Sequence, residues 1–222
     1  MISHYALYTI ADLGKRFQLS EGLPKGIKPH YNISPTVSAP IITVNDGSRV
    51  VRSMKWGLVA KGAKDTNSVF RYKTYNIPSE SVFSRHSWER AIRESRCLIP
   101  ANGFYELNGS GKKQAFYVHP EDASLFAFAG VYSSWEDPDG ITHGTFSMIT
   151  INSSDEMPDS STHMPIIIKP EDEARWLDPT ITEANDLYDM LRPYPAGLLS
   201  IHEVSAAVHS PKPNKPELIE QL

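Results

Sequence analysis

The chain has a single cysteine, Cys97, among its 222 residues, which excludes both an internal disulfide and a cysteine-based zinc cluster. That scarcity agrees with a reducing compartment, and the cytoplasm is the expected location. A basic excess is missing as well: 22 Lys and Arg against 26 Asp and Glu give a net charge of −4. A non-specific nucleic-acid coat relies on the opposite balance, so a polyanion would have to be met by a local patch. Two stretches qualify by sequence, Lys55 with Lys61, Lys64, Arg71 and Lys73, and then Arg85 with Arg90, Arg93 and Arg96. On composition alone they read as a solvated loop and a charged helix face. No apolar run approaches the roughly 18 residues that cross a bilayer, and residues 1–19 lack the basic start and apolar middle of a signal peptide. There is no phosphate-binding glycine loop, no repeat and no low-complexity tract. The eight histidines form no i, i+4 pair with a carboxylate at ligand spacing, so no metal and no other cofactor is expected.

What is present is an ordinary globular composition, 40% hydrophobic and 22% charged, over a length that suits one domain spanning residues 1–222. Thr9 is placed to cap a helix running to Leu19, with Asp12 at the capping-box distance. Asn45-Asp46-Gly47 between β-branched runs predicts a hairpin. Residues 80–94 predict a helix with Val82, Phe83, Trp88 and Ile92 inward. Apolar strands follow at 98–100, 104–107, 115–118, 126–132, 145–151 and 164–168, with a turn at Asn108-Gly109-Ser110-Gly111. Pro170 and Thr182 open two further helices, and Ser210-Pro211-Lys212-Pro213 predicts a surface arm or a loose tail. Hairpins outnumber strand–helix–strand units. The predicted class is therefore α+β, a single domain with a curved, mostly antiparallel, barrel-like sheet core flanked by helices.

Two polar residues invite chemistry. In Phe104-Tyr105-Glu106-Leu107, alternation puts Glu106 on the face of Phe104. A carboxylate beside an aromatic ring is partly desolvated, which raises its pKa toward the range useful for acid–base work, whereas an exposed strand acid would be inert. Asn76, ahead of Ile77-Pro78, reads most simply as a turn former. Cys97 reads as a core thiol. Ser160, Ser161 and His163 lack the glycines of a nucleophile elbow.

Trp56-Gly57-Leu58, Tyr75-Asn76, the run from Arg96 to Glu106 with its Asn102-Gly103-Phe104-Tyr105-Glu106, and His163-Met164-Pro165 occur in an order and spacing that resembles the SOS response-associated peptidase (SRAP) family. The resemblance covers nearly the whole chain. It implies a protein that caps abasic sites in single-stranded DNA, the initiator Met being removed so that a cysteine at residue 2 reacts through its thiol and α-amine with the opened sugar. It further implies catalytic roles for Asn76 and Glu106, and DNA contacts from Asn32, Pro35, Trp56 and Arg71. Four positions depart from the family pattern. Ile2 replaces the cysteine, and an initiator Met before so large a residue is normally kept. Pro78 stands where the family has an arginine, and Gly62 where it has a second tryptophan. Anchoring on Met164-Pro165 puts Ser161 at the family's proton-shuttling histidine, and His163, two residues along on the same strand face, is the third catalytic candidate, placed to reach into the pocket or to face solvent. The expectation is a binder of single-stranded DNA and abasic sites that lacks the nucleophile for covalent crosslinking and peptidase-like self-release. The alternative is an inactive binding or partner-interaction module on the same fold.

Overall fold

Short apolar runs broken by turns give thirteen strands among the described residues: β1 (Tyr5–Leu7), β2 (His30–Ile33), β3 (Ser38–Asn45), β4 (Ser48–Trp56), β5 (Asn76–Pro78), β6 (Arg96–Ala101), β7 (Gly103–Asn108), β8 (Gln114–Pro120), β9 (Phe126–Glu136), β10 (Thr142–Asn152), β11 (His163–Pro165), β12 (Ile167–Ile168) and β13 (Leu199–Val204). The helices are α1 (Leu13–Arg16), α2 (Asn67–Tyr72), α3 (His86–Glu94), α4 (Glu173–Leu177) and α5 (Ala184–Tyr188). The structure, a computed structural model, describes residues 2–59, 65, 67–108, 114–154, 157, 158, 161–195 and 197–222. Met1, Lys61, Gly62, Lys64, Ser160 and the expected turn residues Gly109, Ser110 and Gly111 lie outside them.

Five strands close into a barrel, β10 to β4, β4 to β3, β3 to β6, β6 to β9, and β9 back to β10. Only the β10–β4 seam of this barrel is parallel. The hairpin between β3 and β4 turns at Asp46-Gly47, whose φ values of 49° and 77° match the left-handed pair of a two-residue loop. A second sheet, ordered β13-β8-β7-β1-β2, shares the barrel's core through Tyr5 and Phe104, both buried. Tyr5 stands edge-on to Trp56 at 5.2 Å and to Phe128 at 5.9 Å. The α+β class with a barrel-like, mostly antiparallel core is therefore the observed one.

The helices are shorter than the sequence predicts, and polar side chains are the reason. Thr9 does not cap its helix; its Oγ1 accepts from Asn102 Nδ2 at 2.7 Å, and the expected helix shrinks to a 3₁₀ turn plus α1. The helix expected over 80–94 starts only at His86, because Ser81 and Ser84 donate their hydroxyls to the carbonyls of Pro78 and Ser81. The basic run along α3 is no open patch. Arg90 and Arg93 pair with Glu94 and Glu89 one turn away, and Arg85 lies over the Trp88 ring. Arg96 is buried, donating to carbonyls of Ile92, Arg93, Trp176 and Asp178, and burial lowers its pKa to about 10. The proline-rich end packs as an arm, with Val208 and Leu218 buried against Tyr105 and Tyr117. Among the described residues no helix is long and apolar enough to cross a membrane.

Candidate functional site

Each residue of Asn102-Gly103-Phe104-Tyr105-Glu106 has a separate structural task. Asn102 Oδ1 accepts the N–H groups of Tyr8 and Thr9 at 2.8 and 3.1 Å, fastening the end of β1 beside β7. Gly103 admits the Tyr117 ring, which a Cβ there would meet at 2.3 Å. Phe104 enters the barrel core and Tyr105 the opposite cluster, as strand alternation requires. Glu106 then returns to the face of Phe104 and is buried, 5% exposed.

Three polar groups converge there. Ser161 Oγ donates to Glu106 Oε1 at 2.8 Å, and Ser153 Oγ lies 2.7 Å from Ser161 Oγ, forming a hydroxyl chain to the carboxyl. Burial raises the pKa of Glu106, while the hydrogen bond from Ser161 and the positive charge of the amino terminus act in the opposite direction. On the other side, Asn76 Nδ2 donates to the carbonyl of Ile2 at 2.5 Å. Asn76 is itself positioned by β5, which pairs with β10 at Asn76↔Met148, and by the Trp56 Nε1 donation to Tyr75 O at 2.8 Å. Its Oδ1 is buried and accepts no hydrogen bond among the described residues. The Ile2 side chain is fully buried in the core and brings no reactive atom to this place.

Asn76 thus holds the peptide of residue 2, and Ser161 holds the Glu106 carboxyl, which feels the charge of the amino terminus. His163 is not shown reaching the carboxyl: its Nδ1 meets Thr162 Oγ1 at 3.2 Å, while its backbone oxygen lies 3.5 Å from Ser161 Oγ. Among the residues expected at DNA, Asn32, Pro35 and Trp56 are buried and Arg71 is exposed. Asn32 donates to the carbonyls of Ser210 and Pro213 in the C-terminal arm, and Trp56 stacks on Phe146. Asn32, Pro35 and Trp56 are thus packed within the fold. Ser153 was missed by sequence reasoning because a lone serine past the end of a strand carries no motif. Cys97 is a buried thiol whose pKa is pushed up by desolvation.

The shift at Glu106 fixes the sign of a pH dependence. The folded state holds this proton more tightly than the unfolded chain does, so the stability it contributes is fully present below the ordinary carboxylate pKa. It is lost as pH rises through the raised folded value. Glu106→Gln is therefore expected to be more stable than the wild type at about pH 8 and to lose that advantage near about pH 3. Urea denaturation at the two pH values checks this; equal gains at both would overturn it.

A barrel carrying this carboxyl–amide–hydroxyl cluster around its own second residue defines a class. The family model of the SOS response associated peptidase (SRAP) matches residues 1–211, and the chain belongs to that family. It is 35% identical over 226 residues to the abasic site processing protein YoqW of Bacillus subtilis (strain 168), covering 99% of each. To the abasic site processing protein HMCES of Gallus gallus it is 29% identical over 237 residues, covering 92% of this chain and 70% of that one. A crystal structure of a protein from Bacteroides thetaiotaomicron shares the fold, with a TM-score of 0.86 at 23% identity and 99% of both chains covered.

Proposed function

We propose that this protein binds abasic sites in single-stranded DNA as part of the DNA damage response, and that its covalent step stops at a reversible imine. The observation that carries this reading is the clamp of Asn76 on the Ile2 carbonyl beside a buried Glu106 of raised pKa. In its neutral form the α-amine at the start of the chain adds through its lone pair to the aldehyde carbon of the opened sugar. One amine proton passes to the aldehyde oxygen, giving a carbinolamine. The Glu106 carboxylic acid then protonates that hydroxyl, which leaves as water while the C=N bond forms, and the nitrogen returns a proton to the carboxylate. Amine and aldehyde become imine and water. With isoleucine at residue 2 no thiol is present to close a thiazolidine ring, and the self-release step of the family has no nucleophile.

A denaturing gel tests this with single-stranded DNA bearing one abasic site. A protein–DNA band is expected only when borohydride is present to reduce the imine. Glu106→Gln should slow the appearance of that band by roughly 10²- to 10⁴-fold, the usual range for a positioned proton donor. The full burial of Ile2 favours a second reading, a binding module without covalent chemistry. Retained DNA affinity with no trapped band in borohydride would establish that second reading and sink the first.

A further inference from the structure

The hydroxyl chain that ends on Glu106 is held by backbone at both serines. Ser153 stands one step beyond the last pair of β10 and β11, Asn152↔His163, and its N–H donates to Thr162 O at 3.2 Å, so the ladder runs on past the strand ends. Ser161 N–H donates to Pro158 O at 2.7 Å, and Met157, the residue before that proline, is buried in the core. Thr162 is exposed, whereas the Ser161 hydroxyl reaches the buried carboxyl. With the serines anchored in this way, distance decides where their protons go. Ser161 Oγ is 2.8 Å from Glu106 Oε1 and 3.5 Å from His163 O, so its proton belongs to the carboxyl. Its oxygen is then left to accept, and Ser153, 2.7 Å away, is the donor to it. The chain runs one way, from Ser153 to Ser161 to Glu106, and each bond polarises the next. The consequence falls on the two carboxyl oxygens. Oε1 is engaged as an acceptor, so in the neutral acid the proton sits on Oε2. The carboxylate gains more from the chain than the acid does, because a charged acceptor makes the stronger bond. Ser161 therefore acts against the burial that raises the Glu106 pKa, and the charged group acting with it is the amino terminus.

We infer that Ser161, backed by Ser153, is the positioning residue of the acid: it fixes the orientation of the Glu106 carboxyl, reserves Oε1 as an acceptor and leaves Oε2 as the atom that gives and takes the proton. This rests on the reading that Glu106 protonates the carbinolamine hydroxyl, and it names the oxygen that does so. A carboxyl free to turn would present either oxygen, protonated or not, and would spend part of its time aimed away from the leaving hydroxyl. Holding one oxygen confines the proton transfer to a single geometry. Neither serine meets the sugar in this scheme; both act through Glu106.

The test compares Ser161→Thr, which keeps the hydroxyl, with Ser161→Val, which has the shape of threonine without it. Under borohydride with abasic single-stranded DNA, Ser161→Val is expected to slow trapping by roughly 10- to 100-fold while its affinity for plain single-stranded DNA is unchanged. Ser153→Ala should slow trapping by a smaller factor, and Ser161→Thr should trap like the wild type. In a Glu106→Gln background Ser161→Val should cause no further loss, because no acid is left to position. NMR of the glutamate carboxyl carbons supplies a readout that a packing role would not move: the Glu106 titration midpoint should rise by about one pH unit in Ser161→Val. If Ser161→Val does not fold, Ser153→Ala at its half-buried position carries the same comparison. Undiminished trapping in the variants, or an equal loss in the Glu106→Gln background, would overturn the positioning role and leave the proposed function standing. Slower trapping with an unmoved Glu106 titration would assign the serines to packing and overturn it as well. A wild-type protein that gives no trapped band would sink both.

Discussion

Ile2→Cys is expected to convert an adduct that needs borohydride into one that survives denaturation unaided. The substitution does two things together. A small second residue permits removal of the initiator Met, which exposes an α-amine with a thiol on the adjacent β-carbon. Once the amine has formed its imine, the sulfur attacks the imine carbon, an S–C bond forms, and the thiol proton ends on nitrogen. The product is a five-membered ring that does not revert readily. Without reductant, the shift is from no resistant band to a dominant one. The position tolerates the change at moderate loss, since trading a fully buried isoleucine for a smaller apolar side chain lowers stability by about 1–2 kcal/mol. The informative failure is a variant that is trapped by borohydride yet gives no resistant adduct. That outcome would mean that Ser161 and Pro78 alter the pocket as much as the missing sulfur does.

The second large effect is on stability. Glu173 is 1% exposed and holds together three elements distant in sequence. Its Oε1 takes Arg16 Nη2 at 2.7 Å, and its Oε2 takes Arg16 Nη1 at 3.2 Å and Arg49 Nη1 at 3.1 Å. The bonds join α4 to α1 and β4. Glu173→Ala leaves two guanidinium groups without their carboxylate. Arg16 and Arg49 retain 24% and 17% side-chain exposure, so water relieves part of the loss. The expected destabilisation is therefore about 3 kcal/mol, the low end for a buried pair broken on one side. A urea midpoint that falls with an unchanged denaturant slope checks it, and a loss below about 1 kcal/mol would show that the network adds little.

How much of this was legible beforehand depends on the distance over which each feature is encoded. Asp46-Gly47 is a local signal, and the hairpin formed there. The β10–β4 seam joins Thr145 to Lys55 with no local mark in either strand, so a curved, barrel-like core was readable and the pair of strands that closes it was not. Glu106 and Asn76 were readable because their motif fixes their neighbours. The resemblance implies DNA contacts from Trp56 and Asn32, yet Trp56 donates to Tyr75 O and Asn32 Nδ2 donates to the C-terminal arm, while Asn32 Oδ1 is buried with no partner among the described residues. On α3, Arg90 and Arg93 pair with acids four residues away, a spacing visible in the sequence, whereas Arg96 after it is taken up by the carbonyls of Trp176 and Asp178, which only the folded chain brings within reach. Ser153 depends on Ser161 folding back onto β10, a proximity that no spacing rule encodes.

The C-terminal arm has a consequence beyond packing. In the five-stranded sheet β2 is an outermost strand, and an outermost strand presents unpaired backbone groups that a strand from another molecule can join. Asn214 Oδ1 occupies one of these by accepting the Tyr31 N–H at 2.8 Å, and Asn32 draws the arm in across the same strand. The stretch that reads as a tail therefore serves as a guard against aggregation, keeping a sticky border of the sheet from seeding edge-to-edge polymers.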